Sequence, residues 1–246
     1  MAEDRTKTLL LTGASRGIGH ATVKRFSAAG WRVLTVSRHA FSEDCPWEGG
    51  AENHIQLDLA DIDRLPEAIA EIRERLDGKL DALVNNAAIS PKGPGGTRLG
   101  IMETDHAAWM QVFNVNFFST VMLVRDLVEE LAATEGAVVN VTSIAGMRVH
   151  PFAGVAYATS KAALAALTRE MAWEFGSRGV RVNAIAPGEI ATSILSPGTE
   201  EIVAREIPMH RLGRPEEVAA TIYFLCTAPA SYVNGAEVHI NGGQHA

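Results

Sequence analysis

Tyr157 and Lys161 stand four residues apart in Tyr157-Ala158-Thr159-Ser160-Lys161, a spacing that sets both side chains on one face of a helix. A phenol with an ordinary pKa of about 10 is a poor base at neutral pH, but a neighbouring ammonium favours its ionised form, so Lys161 is expected to tune Tyr157 for proton transfer. Taken alone, the pair also fits an ordinary solvated contact, and its position in the fold must discriminate. A second constellation is Thr12-Gly13-Ala14-Ser15-Arg16-Gly17-Ile18-Gly19-His20, which follows an apolar run and precedes Ala21, Val23, Phe26 and Ala29 at helical spacing. Strand, glycine turn and helix in that order make an anion cradle. Gly13 takes the positive φ of a tight turn, Gly17 lets the backbone approach a pyrophosphate, Gly19 permits close packing, and the helix N-terminus attracts the phosphates. A glycine turn serving compactness alone is the competing reading.

Choice between nicotinamide cofactors depends on what meets the adenosine ribose at the end of the second strand, which here reads Ser37-Arg38. A carboxylate there would bind a free 2'-hydroxyl and repel a 2'-phosphate. Ser37 offers a hydroxyl and Arg38 a guanidinium suited to phosphate, and Arg16 supplies a second cation from the glycine loop, so NADP(H) is expected over NAD(H). A solvated charge at a strand end is the bland account of Arg38. Asp58, after His54-Ile55-Gln56-Leu57, is placed to accept from the adenine amino group, with a turn or helix-capping aspartate as competitor.

The elements that must hold these groups follow from the apolar runs Thr8 to Leu11, Arg32 to Val36, Leu80 to Val84, Ala137 to Val141 and Val180 to Ala186. They are short, rich in Val and Leu, and separated by stretches of helical spacing, a βαβ rhythm. Continuous rather than alternating apolar character implies strands buried on both faces. The expected fold is therefore an α/β Rossmann-type doubly wound parallel sheet with helices on both faces, a single domain over residues 1–246. Its ligand should lie beyond the carboxyl ends of the strands. A length of 246 residues, 47% of them hydrophobic, suits one large core. A net charge of -7 without a Lys/Arg block gives no footprint for nucleic acid. Cys45 and Cys226 read as two free thiols without metal-ligand spacing, and the polar start Met1-Ala2-Glu3-Asp4-Arg5 resembles neither a signal peptide nor a membrane span. These features point to the cytoplasm.

Together these motifs resemble the short-chain dehydrogenase/reductase family, in its branch of about 250 residues, over nearly the whole chain. Thr12 to Gly19 is similar to its glycine signature, Asn85-Asn86-Ala87-Ala88 to its strand-end motif, Ser143 to its catalytic serine, Tyr157 to Lys161 to its YxxxK, and Pro187-Gly188 to its PG turn. Ala88 departs from the usual glycine without removing a chemical group. The resemblance implies that Asn116 completes a tetrad with Ser143, Tyr157 and Lys161; Asn114 is the alternative two residues away. It also implies a role for each group. Ser143 polarises a substrate carbonyl, Tyr157 exchanges a proton with its oxygen, Lys161 holds the ribose hydroxyls, and Asn116 anchors a water that relays protons from Lys161. The cofactor contacts implied are Gly13, Ser15, Arg16, Gly17, Ile18, Gly19, Ser37, Arg38, Asp58, Leu59, Asn86, Ala87, Tyr157, Lys161, Pro187, Gly188, Ile190 and Thr192, the last two at the carboxamide. Each tetrad member also has a structural account: Ser143 terminates a strand, and Asn116 satisfies backbone at a helix irregularity.

The substrate, a small carbonyl or alcohol, is expected between Tyr157 and a mobile lid over about 192–209 that contains the Ser196-Pro197-Gly198 turn. Met147, Arg148, His150, Phe152 and Glu189 are candidate walls, with Arg148 or His150 placed for an anionic substrate or standing as solvated charges. The loop Pro91 to Gly100 either folds over the pocket or forms a surface insertion. Alanines at 156, 158, 162, 163, 165 and 166 permit close helix approach, and the family implies a homotetramer or homodimer with Val238 to Ala246 as a contact tail. His239 and His245 read as packing groups, and no metal is expected. The substrate subclasses are a 3-oxoacyl thioester reductase, a sugar or polyol dehydrogenase and a small-ketone reductase. The rivals are a cofactor-binding regulatory protein without turnover and non-redox chemistry such as dehydration or epimerisation.

Overall fold

The computed structural model describes residues 5–41, 50–192 and 198–246. Met1 to Asp4, Cys45 and the Ser196-Pro197 part of the expected lid lie outside the described residues.

Each of the five expected strands forms where an apolar run can be buried on both faces: β1 (Thr8–Thr12), β2 (Arg32–Ser37), β4 (Ala82–Asn85), β5 (Ala137–Val141) and β6 (Arg181–Pro187), while the shorter, only partly buried β3 (His54–Gln56) and β7 (Glu237–Ile240) complete the sheet. They pair in parallel in the order β3-β2-β1-β4-β5-β6-β7, so this is a doubly wound α/β sheet whose strand order reverses between β1 and β4. Alternate residues of one strand serve opposite faces. Leu9 and Leu11 pack with Val23 and Phe26 of α1 (Gly17–Ser27) and with Val218 and Ile222 of α8 (Pro215–Leu225). Leu10 packs on the other face with Ile69 and Ile72 of α2 (Leu65–Leu76), Leu123 of α4 (Ser119–Asp126), and Met171 and Phe175 of α6 (Val155–Gly176).

The helical run from α3 (His106–Phe113) to α4 passes through a π-turn at Asn114–Phe118. By length and composition, His106–Asp126 could cross a membrane, with a mean hydropathy of 1.3. Val112, Val115, Leu123 and Val124 nevertheless sit inside the protein core. A short helix, α5 (Val128–Ala132), leads into β5, and α7 (Thr199–Arg205) occupies the expected lid, where no period was legible. Ile202 within it and Ile207 just after it are buried.

Candidate active site

A cavity of about 880 Å³ opens above the carboxyl ends of the strands and reaches from Arg38 at one end to Tyr157 and Glu189 at the other. Its first wall is the turn from β1 into α1. Gly13 and Gly17 have φ of 74° and 55°, and a Cβ on Gly19 would lie 2.0 Å from the Gly13 carbonyl oxygen, so each of the three positions favours glycine. Among the described residues no side chain caps α1, and no acid stands in its first turn. The free N–H groups and positive helix end therefore face the cavity unopposed, a donor set that fits a dinucleotide pyrophosphate. Asn86 fixes this wall to β4: its amide donates to the carbonyls of Thr12 (3.2 Å) and Gly13 (2.8 Å), while the Thr12 hydroxyl accepts from the backbone N–H groups of Asn86 and Ala87.

At the ribose end, Arg16 and Arg38 are exposed and line the cavity, and among the described residues neither enters an ion pair. Ser37 donates its hydroxyl proton to the His39 carbonyl (3.0 Å), leaving its oxygen to accept. Asp58 faces the cavity with Leu59 and also accepts from the Ala60 amide (3.0 Å), so its turn role is real alongside any adenine contact.

At the opposite end, α6 brings Tyr157 and Lys161 to the cavity on one helical face, with Lys161 Nζ 5.8 Å from the phenol ring centroid. Lys161 is 1% exposed and donates to the Val141 carbonyl at 2.6 Å. Burial lowers its pKa to about 7. The Tyr157 phenol stands above its ordinary value, first because of burial and also because of the Glu189 charge, while a hydrogen bond with Ser143 pulls it down. The expected sense of tuning is thus absent from the polypeptide itself: desolvation opposes both the ammonium and the phenolate.

Ser143 lines the cavity and caps the short turn Ile144–Gly146 by accepting from the Ala145 amide at 3.2 Å. Asn116 is buried in the π-turn. Its Oδ1 accepts from the Ile89 amide (2.9 Å), and its Nδ2 donates to the Ile89 carbonyl (3.0 Å) and the Ser160 hydroxyl (3.0 Å). Asn114 points elsewhere, donating to the Ala60 carbonyl. Pro187 ends β6 and Gly188 follows it, both lining the cavity, with Ile190 and Thr192 beyond them; the Gly188 amide is held by the Ile240 carbonyl.

Of the expected substrate walls, His150, Phe152 and Glu189 line the cavity. Met147 and Arg148 do not. Arg148 instead donates to the Gln244 carbonyl (2.8 Å) and pairs with Glu206 (2.9 Å), joining the C-terminal tail to the segment after α7. The loop after Asn86 divides: Pro91 and Lys92 line the cavity, whereas Arg98 and Leu99 hydrogen-bond to the backbone of Ala153 and Val155 ahead of Tyr157. Sequence reasoning missed Lys92, a lone cation in a Gly/Pro-rich loop, and Ser160, hidden between Tyr157 and Lys161. It also missed the pairing of His150 with Glu189, whose separation in the chain carries no periodic signal.

Comparison with known proteins matches this chain over its length. The enoyl-(acyl carrier protein) reductase family profile covers residues 13–245. Protein FixR of Bradyrhizobium diazoefficiens is 58% identical over 97% of this chain and 87% of its own. A crystal structure of an oxidoreductase of the short-chain dehydrogenase/reductase family from Brucella ovis, in complex with a partially ordered NAD, is 61% identical. It covers 96% of this chain and 100% of its own, with a TM-score of 0.84. The 3-oxoacyl-[acyl-carrier-protein] reductase FabG of Aquifex aeolicus is 33% identical over 96% of each chain.

Proposed function

The chain belongs to the short-chain dehydrogenase/reductase family, and from that premise we propose that it is an NADP(H)-dependent oxidoreductase interconverting a carbonyl and an alcohol, with Tyr157 as acid/base. The coarser statement, an oxidoreductase acting on CH–OH donors with NAD(P), holds for the chain as a member of its family. The observation that carries the finer reading is the convergence of Ser143, Tyr157 and Lys161 on one end of a cavity whose other end is the uncapped start of α1.

The N–H groups at Gly17, Ile18 and Gly19 hold the pyrophosphate, with Gly13 and Ser15 beside them, and Asn86 and Ala87 form the wall between. Arg16, Ser37 and Arg38 take the 2'-phosphate, and Asp58 and Leu59 flank the adenine. Lys161 and Tyr157 hold the nicotinamide ribose, and Pro187, Gly188, Ile190 and Thr192 hold the carboxamide. When bound, the nicotinamide supplies hydride to the carbonyl carbon, or accepts it in oxidation. Ser143 donates a hydrogen bond to the carbonyl oxygen, and Tyr157 gives that oxygen its proton in reduction and removes it in oxidation. Lys161, with its pKa lowered to about 7, is able to give up or take a proton near neutral pH beside Tyr157. Asn116 is a positioning residue: its side chain is committed to Ile89 and Ser160, holding the loop after β4 against α6, and any relay water rests on its remaining lone pair.

The substrate is a small carbonyl or alcohol within the subclasses 3-oxoacyl thioester, sugar or polyol, and small ketone. The Aquifex aeolicus relative supports the first of these. A homotetramer or homodimer is supported by exposed apolar residues on α3, the π-turn and α6, among them Met110, Phe118 and the 87% exposed Trp173. A cytoplasmic location is supported by Cys226, an unpaired buried thiol whose pKa burial pushes up to about 12. A panel of carbonyls and alcohols, followed by nicotinamide absorbance with both cofactors, tests the function. Turnover is expected, and its absence across the panel overturns the reading.

A further inference from the structure

Beside Tyr157 the cavity wall carries charge that the transfer of hydride and proton does not use. Glu189, with a side chain 13% exposed, places Oε1 2.7 Å from Nε2 of His150, whose side chain is 8% exposed. The His150 Nδ1 accepts from the Phe152 amide at 3.3 Å, which leaves the ring proton of the neutral form on Nε2. The approach of Nε2 to Glu189 suits charge pairing by distance, yet its angle makes no hydrogen bond, and Nε2 remains a buried polar atom without one. Lys92 lines the same wall, fastened through its ammonium to the Phe152 carbonyl, and feels the Glu189 charge.

We infer that Glu189, backed by His150, forms a hydroxyl-recognition subsite, so that the preferred substrate is a ketone or alcohol bearing a second hydroxyl close to the reacting carbon. This rests on the carbonyl–alcohol reading above and selects among its subclasses. The buried Nε2 of His150 backs Glu189 Oε1 at 2.7 Å, so the part-exposed carboxylate is the acceptor that faces the cavity, and a hydroxyl is a neutral group that donates to it. A substrate carboxylate meets the like charge of Glu189, and a substrate ammonium meets that of Lys92. A plain alkyl chain strips water from Glu189 and leaves its carboxylate without a replacement donor, the arrangement by which a polar site rejects an apolar analogue. Glu189 also repels the Tyr157 phenolate, and a hydroxyl bound to the carboxylate disperses part of that charge.

The test compares 2-butanone, 3-hydroxy-2-butanone and 4-hydroxy-2-butanone, with their six-carbon homologues, as substrates of the full chain with saturating cofactor. The protein is expected to favour a hydroxylated member by at least about tenfold in kcat/KM, the least that a hydrogen bond to a charged group commonly gives. Glu189→Leu is expected to bring that ratio within about threefold, chiefly by raising KM for the hydroxyketone. Glu189→Gln, whose carbonyl still accepts, should fall between them, and a thermal melt of each variant reports folding. Equal kcat/KM across each set in the unaltered protein, or an undiminished ratio in folded Glu189→Leu, overturns the inference and leaves the carbonyl–alcohol reading standing. No turnover of any carbonyl or alcohol overturns that reading and this inference with it.

Discussion

Replacing Lys161 with methionine separates stability from activity. The side chain is 1% exposed, and burial takes its pKa from 10.5 to about 7. At about 1.4 kcal/mol per pH unit, that fall is a folding penalty of about 5 kcal/mol. The sign follows from proton binding. Above about pH 10.5 neither state holds the proton and the penalty is absent. Between 10.5 and about 7 the unfolded chain is protonated and the folded one is not, so stability falls as pH falls. Below about 7 both are charged and the penalty is constant. Lys161→Met removes it and abandons the bond to the Val141 carbonyl, a loss of about 1–3 kcal/mol that does not vary with pH. Without cofactor, the variant should therefore be more stable than its parent near pH 6, and the advantage should shrink by about 4 kcal/mol by pH 10. For a chain of this size that is about 8–16 °C in Tm, read from parallel thermal or urea unfolding at the two pH values. Turnover should be lost throughout. Unfolding curves for the two proteins that shift in parallel with pH would refute a discharged, buried Lys161.

The exposed cations at Arg16 and Arg38 predict that NADPH binds at least about tenfold more tightly than NADH, as bidentate phosphate contacts would give, and that Arg38→Asp reverses the order; equal affinities by fluorescence titration would remove the phosphate assignment. Asn116→Ala deletes three hydrogen bonds of a buried side chain and should cost about 2–4 kcal/mol, whereas Asn114→Ala deletes one and should cost about 1 kcal/mol. Urea denaturation yielding the opposite order would assign the positioning role to Asn114.

The sheet was legible because parallel strands buried on both faces read as uninterrupted apolar runs. Among those runs a slip came at Leu80, whose apolar side chain is buried but whose amide bonds to the Glu130 carbonyl, so β4 starts at Ala82, and the partly buried strands β3 and β7 gave no such run. The helix Thr199–Arg205 escaped notice because only Thr199 and Ile202 along it are buried, too few to print a period. In the site, Tyr157 and Lys161 were legible through their spacing, and the glycines through the strand and helix around them. The charge sense of Lys161 was not, since desolvation depends on tertiary burial rather than on neighbours in sequence. Arg148 was a free cation in the sequence and became a brace only once the tail and Glu206 folded beside it.

The central claim, that Tyr157 is the acid/base, is tested most directly by Tyr157→Phe, assayed for cofactor affinity and for single-turnover hydride transfer on the same preparation. The account predicts affinity within about threefold of the parent, because ring packing persists, and a turnover loss of about 10²–10⁴-fold, the usual worth of a positioned general acid. Cofactor bound as before with turnover within about tenfold of the parent would contradict it.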